Sequence, residues 1–172
     1  MIYPEKHKDI VTALIDGRFI TVDELLFETV KKRDDFYIEF FKESFGFELK
    51  GTHDFYYLIS NDTNENTSRD ISIFFSILCY ELDKDGKNFL EELNYSEFYI
   101  DDIIEYFNNS SWIDVIKSNK QLNSNDNIKR LLGGTMVKRN IAVKHNNDRY
   151  SFTKAHKLFI DFARDLVKDG SC

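Results

Sequence analysis

Only one proline, Pro4, occurs in 172 residues, and it stands ahead of the first helical pattern. The remainder is free of the ring that removes a backbone donor and clashes inside a helix, so long helices are expected. Cysteine is almost as scarce. Cys79 and Cys172 cannot build a disulfide framework, and Cys79, set among Phe75, Ile77, Leu78 and Leu82, reads as a buried thiol rather than a nucleophile. No apolar run reaches the ~18–20 residues of a membrane span, and the opening MIYPEKHKDI lacks the hydrophobic stretch of a signal peptide, so a cytosolic protein without membrane attachment is expected. Motifs of catalysis are missing too: there is no glycine-rich phosphate loop, no GxSxG and no Cys/His signature. The four histidines, His7, His53, His145 and His156, have no metal-ligand spacing. The acid pairs Asp34-Asp35 and Asp101-Asp102 fall at helix starts, where carboxylates favour the helix dipole and need no chemical role. Neither an enzyme nor a metal or cofactor site is expected.

Aromatic residues are plentiful. Sixteen Phe and nine Tyr mean that rings do much of the burial, each covering roughly 150–250 Å². Charge is unevenly placed. Residues 1–116 hold 11 Lys+Arg against 25 Asp+Glu, whereas residues 117–157 hold 10 against 2. A basic element inside an acidic protein of pI about 5.1 is not needed for solubility and points to a local anionic partner.

Hydrophobic spacing gives the element order. Residues 4–16 follow a helical stripe stopped by Gly17, and Arg18-Phe19-Ile20 makes a short extended link. Thr21 with Glu24 forms a capping box for a second helix, and residues 35–45 form a third that ends at Gly46. Phe47 to Lys50 and Phe55 to Ile59 then alternate around a polar turn as a hairpin. After the polar loop 61–67, Ser68-Arg69-Asp70 is expected to cap a strongly apolar helix, central to the molecule, that runs to Leu82. The second half repeats the outline: helical patterns over 99–107 and 112–116, a helix 127–132 capped by Asn125-Asp126 and stopped by Gly133-Gly134, a strand 136–144, a tip 145–148 and a return strand 149–152. Thr153 caps a last amphipathic helix that includes Leu158, Phe162 and Leu166. The expectation is a mainly α fold with small β-hairpins, arranged as tandem winged-helix domains: residues 1–67, a central helix and connector 68–98, and residues 99–172.

In such a domain the helix before the hairpin and the hairpin itself can approach nucleic acid. Lys129 and Arg130 on that helix, Lys138, Arg139, Lys144 and Arg149 on the expected hairpin, and Lys154 at the start of the last helix are the candidate DNA-backbone contacts. The alternative is a basic surface that meets an acidic protein. Few side chains on the helix can read bases, Asn125 and Asn127 apart, so binding should be largely independent of sequence. The strand Phe55-Tyr56-Tyr57-Leu58 is apolar on both faces, which favours a protein partner or a second copy over stacked bases.

Several segments resemble MukE, the small winged-helix subunit of the bacterial MukBEF condensin, which has related subunits in MksBEF and in Wadjet plasmid-defence complexes. They are Gly17-Arg18-Phe19-Ile20, Phe55-Tyr56-Tyr57-Leu58, Ser68-Arg69-Asp70-Ile71-Ser72 with Ile77-Leu78-Cys79-Tyr80, and Arg149-Tyr150-Ser151-Phe152-Thr153. The resemblance covers roughly residues 10–166, with order and spacing carrying most of it. It implies a non-enzymatic, nucleoid-associated, dimeric subunit that grips a MukF-like kleisin and MukB-like SMC ATPase heads and helps to clamp DNA. Chromosome organisation and segregation or plasmid defence would be its setting. Members of the best-known branch are longer, whereas this sequence stops at Asp169-Gly170-Ser171-Cys172, as expected of a more compact branch or a shortened chain. The competing expectation is a free-standing winged-helix transcription regulator.

Overall fold

The computed structural model describes residues 2–60 and 65–161. The chain divides into two compact units, Met1–Thr63 and Asn64–Cys172. As expected, it is mostly helical with small antiparallel sheets.

The first unit runs α1 (His7–Ile15), β1 (Ile20–Thr21), α2 (Leu25–Lys32), α3 (Asp34–Phe45), β2 (Glu48–Gly51) and β3 (Phe55–Ile59). Gly17 stops α1 as expected: with φ 78° it lets its own N–H reach Leu14 O and the Arg18 N–H reach Ala13 O. Glu24 supplies half of the expected capping box, accepting from the Thr21 N–H at 2.7 Å, and it also ion-pairs with Arg18. The extended link proves to be a third strand. β1 pairs with β3 through Ile20↔Tyr56 and Thr21↔Phe55, giving a sheet of order β1-β3-β2 where two strands were expected. At the hairpin turn Thr52 Oγ1 accepts from the N–H groups of Asp54 (3.1 Å) and Phe55 (3.2 Å), which fixes the register. Ile10, Leu14, Phe27, Tyr37 and Phe41 close over this sheet with Leu49 and Tyr56.

His7 stacks on Tyr3 at 4.4 Å between centroids and on Tyr37 at 5.6 Å, with Phe40 edge-on at 5.0 Å. Removal from water among these rings holds its pKa below the ordinary 6.5. Between the folded and unfolded values the unfolded chain binds more protons. The contribution of this neutral ring is therefore complete above about pH 6.5 and declines as pH falls through that value towards the lower folded one. Thermal midpoints of the wild type should fall across that acid window. His7→Phe should remove part of the fall, and identical pH profiles would refute the assignment.

The second unit runs α4 (Glu65–Lys84), α5 (Phe89–Tyr95), β4 (Phe98–Tyr99), α6 (Ile100–Asn108), α7 (Ile113–Ser118), α8 (Asn125–Arg130), a π-helical segment Leu131–Met136, β5 (Ala142–His145), a short 3-10 turn Asn146–Asp148 and β6 (Arg149–Phe152). Residues 156–161 are helical. The expected positions Phe162 and Leu166 of that helix, part of the loop 61–67, and Cys172 lie outside the described residues.

Five local expectations are corrected. Helix α4 already includes Glu65, so Ser68 is not its cap; inside the helix its carbonyl accepts from Ser72 Oγ at 2.9 Å. The cap of α8 is Ser124, whose Oγ accepts from the Asn127 N–H at 3.1 Å, in place of Asn125-Asp126. Gly133-Gly134 is no stop. The helical backbone passes through both glycines and continues over 137–138 to Asn140, whose φ of 59° ends it. Asn140 N–H then reaches Val137 O and Ile141 N–H reaches Met136 O, a closure that asparagine supplies with little left-handed penalty. The expected strand 136–144 is consequently only Ala142–His145, and Lys138 and Arg139 stand at the helix end instead of on the hairpin. Cys79 is half-buried where full burial was expected.

The second sheet has order β4-β6-β5, the same order of first, third and second strand as in the first unit. Its inner face, Phe98, Tyr150 and Phe152, is buried. Phe152 packs against Phe75 at 5.0 Å and Phe98 at 5.6 Å, and Phe74 lies 5.2 Å from Phe107. No helix among the described residues is long and apolar enough to cross a membrane.

Candidate functional site

The hairpin β5–β6 has two working faces. Cross-strand pairs Val143↔Ser151, His145↔Arg149 and Tyr99↔Arg149 share one face, while Lys144↔Tyr150 and Ala142↔Phe152 belong to the other. The tip is held by Asn147 and Asp148 in left-handed conformation, φ 61° and 54°.

On the inner side of the tip, three of the expected basic residues meet. Lys129 and Arg130 from the last turn of α8 and Lys144 from β5 line a concavity of about 430 Å³ with Ile100, Gly133, Gly134, Asp148 and Tyr150. All three are exposed, and Lys144 lies 3.8 Å from Asp148, a loose surface pair. The helix before the hairpin stays open to the concavity because it has glycine there. A Cβ at Gly133 would stand 2.9 Å from Tyr150 Oη. Gly133→Ala should therefore cost about 1–3 kcal/mol through overpacking. Tyr150→Phe in the same chain should recover part of that cost, and urea midpoints of the two singles and the double measure the coupling. A neutral Gly133→Ala would show that the contact relaxes freely.

The other four basic candidates are placed elsewhere. Lys138 is exposed beyond the π-helical segment, and Arg139 is half-buried, its pKa lowered by burial. Lys154 approaches Asn94 Oδ1 at 3.5 Å and the Tyr95 ring at 6.0 Å. Arg149 lies on the outer face, its guanidinium 4.8 Å from the Tyr99 ring centre and 3.5 Å from Glu97 Oε2. Glu97 and Tyr99 were missed by sequence reasoning, because a two-residue strand offers no alternation to detect. The candidate base reader Asn127 is occupied: its amide donates to Lys120 O (3.2 Å) and Asn123 Oδ1 (2.6 Å), and its own oxygen accepts from Arg130 (3.3 Å).

In the first unit, Phe55 and Tyr56 are buried, Phe55 against Phe19 and Tyr56 against Phe27 at 5.2 Å. Tyr57 and Leu58 are half-buried, and Tyr57 stacks on Phe19 at 5.4 Å. Of the four ring-strand candidates, these two keep surface of their own.

Among the described residues no group of three or more His, Cys, Asp or Glu is arranged to hold a metal ion. An acidic concavity of about 470 Å³ includes Glu81, Asp85, Glu92, Asp102 and Glu105. Within it Glu81 accepts from Ser110 Oγ at 2.7 Å, and Tyr106 donates to Asp85 at 2.8 Å while accepting from Lys87 at 3.2 Å.

Residues 5–164 match the family model described as condensin complex protein MksE. The chain belongs to the MksE family. No curated protein matches it. Membership bears out the expected MukE-like subunit and makes this MksE-family chain an accessory component of a condensin-like complex with partner subunits, from a family not known for enzyme activity. The family match spans both units and includes the α8 concavity.

Proposed function

We propose that the chain is a non-catalytic subunit that grips the kleisin of an SMC-type complex, pairs with a second copy, and lays its second unit on the DNA backbone beside the ATPase heads. The first unit has the order helix, strand, helix, helix, strand, strand; in the second the same order runs from α5 to β6 with one more short helix before the hairpin, preceded by α4 and followed by the helix over 156–161. The common sheet order supports a pair of winged helices, the second of them centred on 99–172 with α5 and the start of β4 just ahead of it. The half-buried Tyr57 and Leu58 remain candidates for the protein side, with Phe55 and Tyr56 supporting them from the core. Nucleoid association and a role in chromosome organisation, segregation or plasmid defence follow from this reading.

The observation that carries the DNA part is the convergence of Lys129, Arg130 and Lys144 on one concavity between the helix and the hairpin. These are charges suited to phosphates, and no base-reading group accompanies them there. The occupied Asn127 amide disfavours a sequence-reading regulator. Two measurements test the reading. Affinity purification from the native host should recover a kleisin and an SMC ATPase. Competition between unrelated DNA duplexes should show no preferred sequence, whereas a regulator would favour one site by ~10³ or more. Recovery without either partner, or a strong site preference, would refute it.

A further inference from the structure

The outer face of the second hairpin carries an arrangement that the α8 concavity does not use. Strand register sets Arg149 between Tyr99 and His145, and Glu97, two residues before Tyr99, reaches the same face. The Glu97 carboxylate lies 3.5 Å from Arg149 through Oε2 and 3.7 Å from His145 Nδ1 through Oε1. Strong charge-assisted bonds close to about 2.7–2.9 Å. Glu97 therefore rests near both groups without being clamped by either, and 43% of its side chain is exposed. Arg149 has unused donor capacity: its Nε is buried without a hydrogen-bond partner, and its guanidinium carbon lies 4.8 Å from the centre of the Tyr99 ring. His145 is steadied from its other nitrogen by Ser151 Oγ at 2.7 Å. With Lys144, Asn146 and Asn147 these residues surround a concavity of about 460 Å³.

We propose that this concavity is a second phosphate subsite, formed by Arg149, His145 and Lys144, in which the Glu97 carboxylate holds the place of the anion until DNA arrives. The inference rests on the DNA reading above and extends it. Lys144 lines the concavities on both sides of the tip, so the hairpin would meet phosphates on each flank. Glu97 is then a built-in competitor: one anion is exchanged for another, and the cations are not left bare in the unbound protein. That exchange weakens DNA binding in proportion to how well Glu97 occupies the site.

The test uses the full chain and a random-sequence DNA duplex, read by fluorescence anisotropy over a salt series. Glu97→Gln should tighten binding about three- to tenfold near 0.1 M salt and steepen the logarithmic salt dependence by about one unit per additional phosphate neutralised. Glu105→Gln removes the same charge from elsewhere in the acidic concavity that Glu97 also borders and should change affinity less than about twofold, as expected for a screened exposed charge. The double reversal Lys129→Glu/Arg130→Glu separates the two ideas. If it abolishes binding while Glu97→Gln gives no gain, the subsite is wrong and the DNA reading stands. If Glu97→Gln tightens binding while the double reversal is silent, the subsite stands and the DNA face moves to the hairpin. If neither responds, both fall. Inorganic phosphate titrated against the His145 ring resonances covers the remaining source: saturation by phosphate, with Glu97→Gln silent towards DNA, would make this a small-anion pocket and overturn its assignment to DNA.

Discussion

Phe75→Ala should destabilise the second unit by about 3–5 kcal/mol, the range for truncating a buried phenylalanine. Phe75 is fully buried, and its ring meets Phe74 at 5.5 Å, Phe152 at 5.0 Å, Phe159 at 6.2 Å and His156 at 6.2 Å. These neighbours come from three elements: α4 itself, the strand β6 and the helix over 156–161. Removing the ring therefore opens a void where helix and hairpin are joined. The loss would consume much of the roughly 5–15 kcal/mol that a domain has in total. Urea unfolding of the full chain should show the transition of the second unit shifted to much lower denaturant. The transition of the first unit, whose core is a separate cluster around Tyr37 and Phe41, should move little. Phe75→Leu should cost less, because it keeps most of the apolar volume. A Phe75→Ala chain that unfolds at the wild-type midpoint would mean that the rings repack without a cavity.

The aromatic core was legible because Phe and Tyr recur at helical or alternating spacing, and the stops at Gly17 and Gly46 were legible because glycine takes positive φ cheaply. Gly133-Gly134 misled for the same reason. Glycine also serves where another side chain comes close, and the close approach of Tyr150 arises from a strand that sequence proximity does not reveal. The stop fell to Asn140, six residues beyond the glycine pair. That shift shortened the hairpin and moved Lys138 and Arg139 off it. β1 and β4 have two residues each, too few to show a period, although each supplies the third strand of its sheet. Missing β4 hid Glu97 and Tyr99, and with them the surroundings of Arg149. The basic run itself was plain in the sequence. Its division into an exposed trio, a stacked arginine and a half-buried arginine depends on strand register and helix length, which composition does not encode.

That division makes the charge-reversal experiment selective. Lys129→Glu, Arg130→Glu and Lys144→Glu together should lower affinity for random duplex DNA by about 100-fold near 0.1 M salt and reduce the logarithmic salt slope by about three units, close to 0.9 for each phosphate no longer neutralised. All three side chains are exposed, and none is the partner of a buried charge, so stability should change little. Lys144 is the one whose native ion pair is altered, because its reversal places two carboxylates beside each other at the tip with Asp148, while Arg130 loses its 3.3 Å bond to Asn127 Oδ1. A Lys144→Gln version avoids that repulsion and should retain most of the effect. Lys154→Glu is the contrasting substitution. Its ammonium lies by Asn94 and Tyr95, away from the concavity, so the salt slope should remain at the wild-type value. The same comparison inside the assembled complex should give the same ranking, since sequence-independent binding to phosphate adds through counterion release whichever subunit supplies the charge. If the triple reversal leaves the slope unchanged while Lys154→Glu lowers it, the DNA face lies near α5 and the start of the last helix, and the concavity beside α8 has another role.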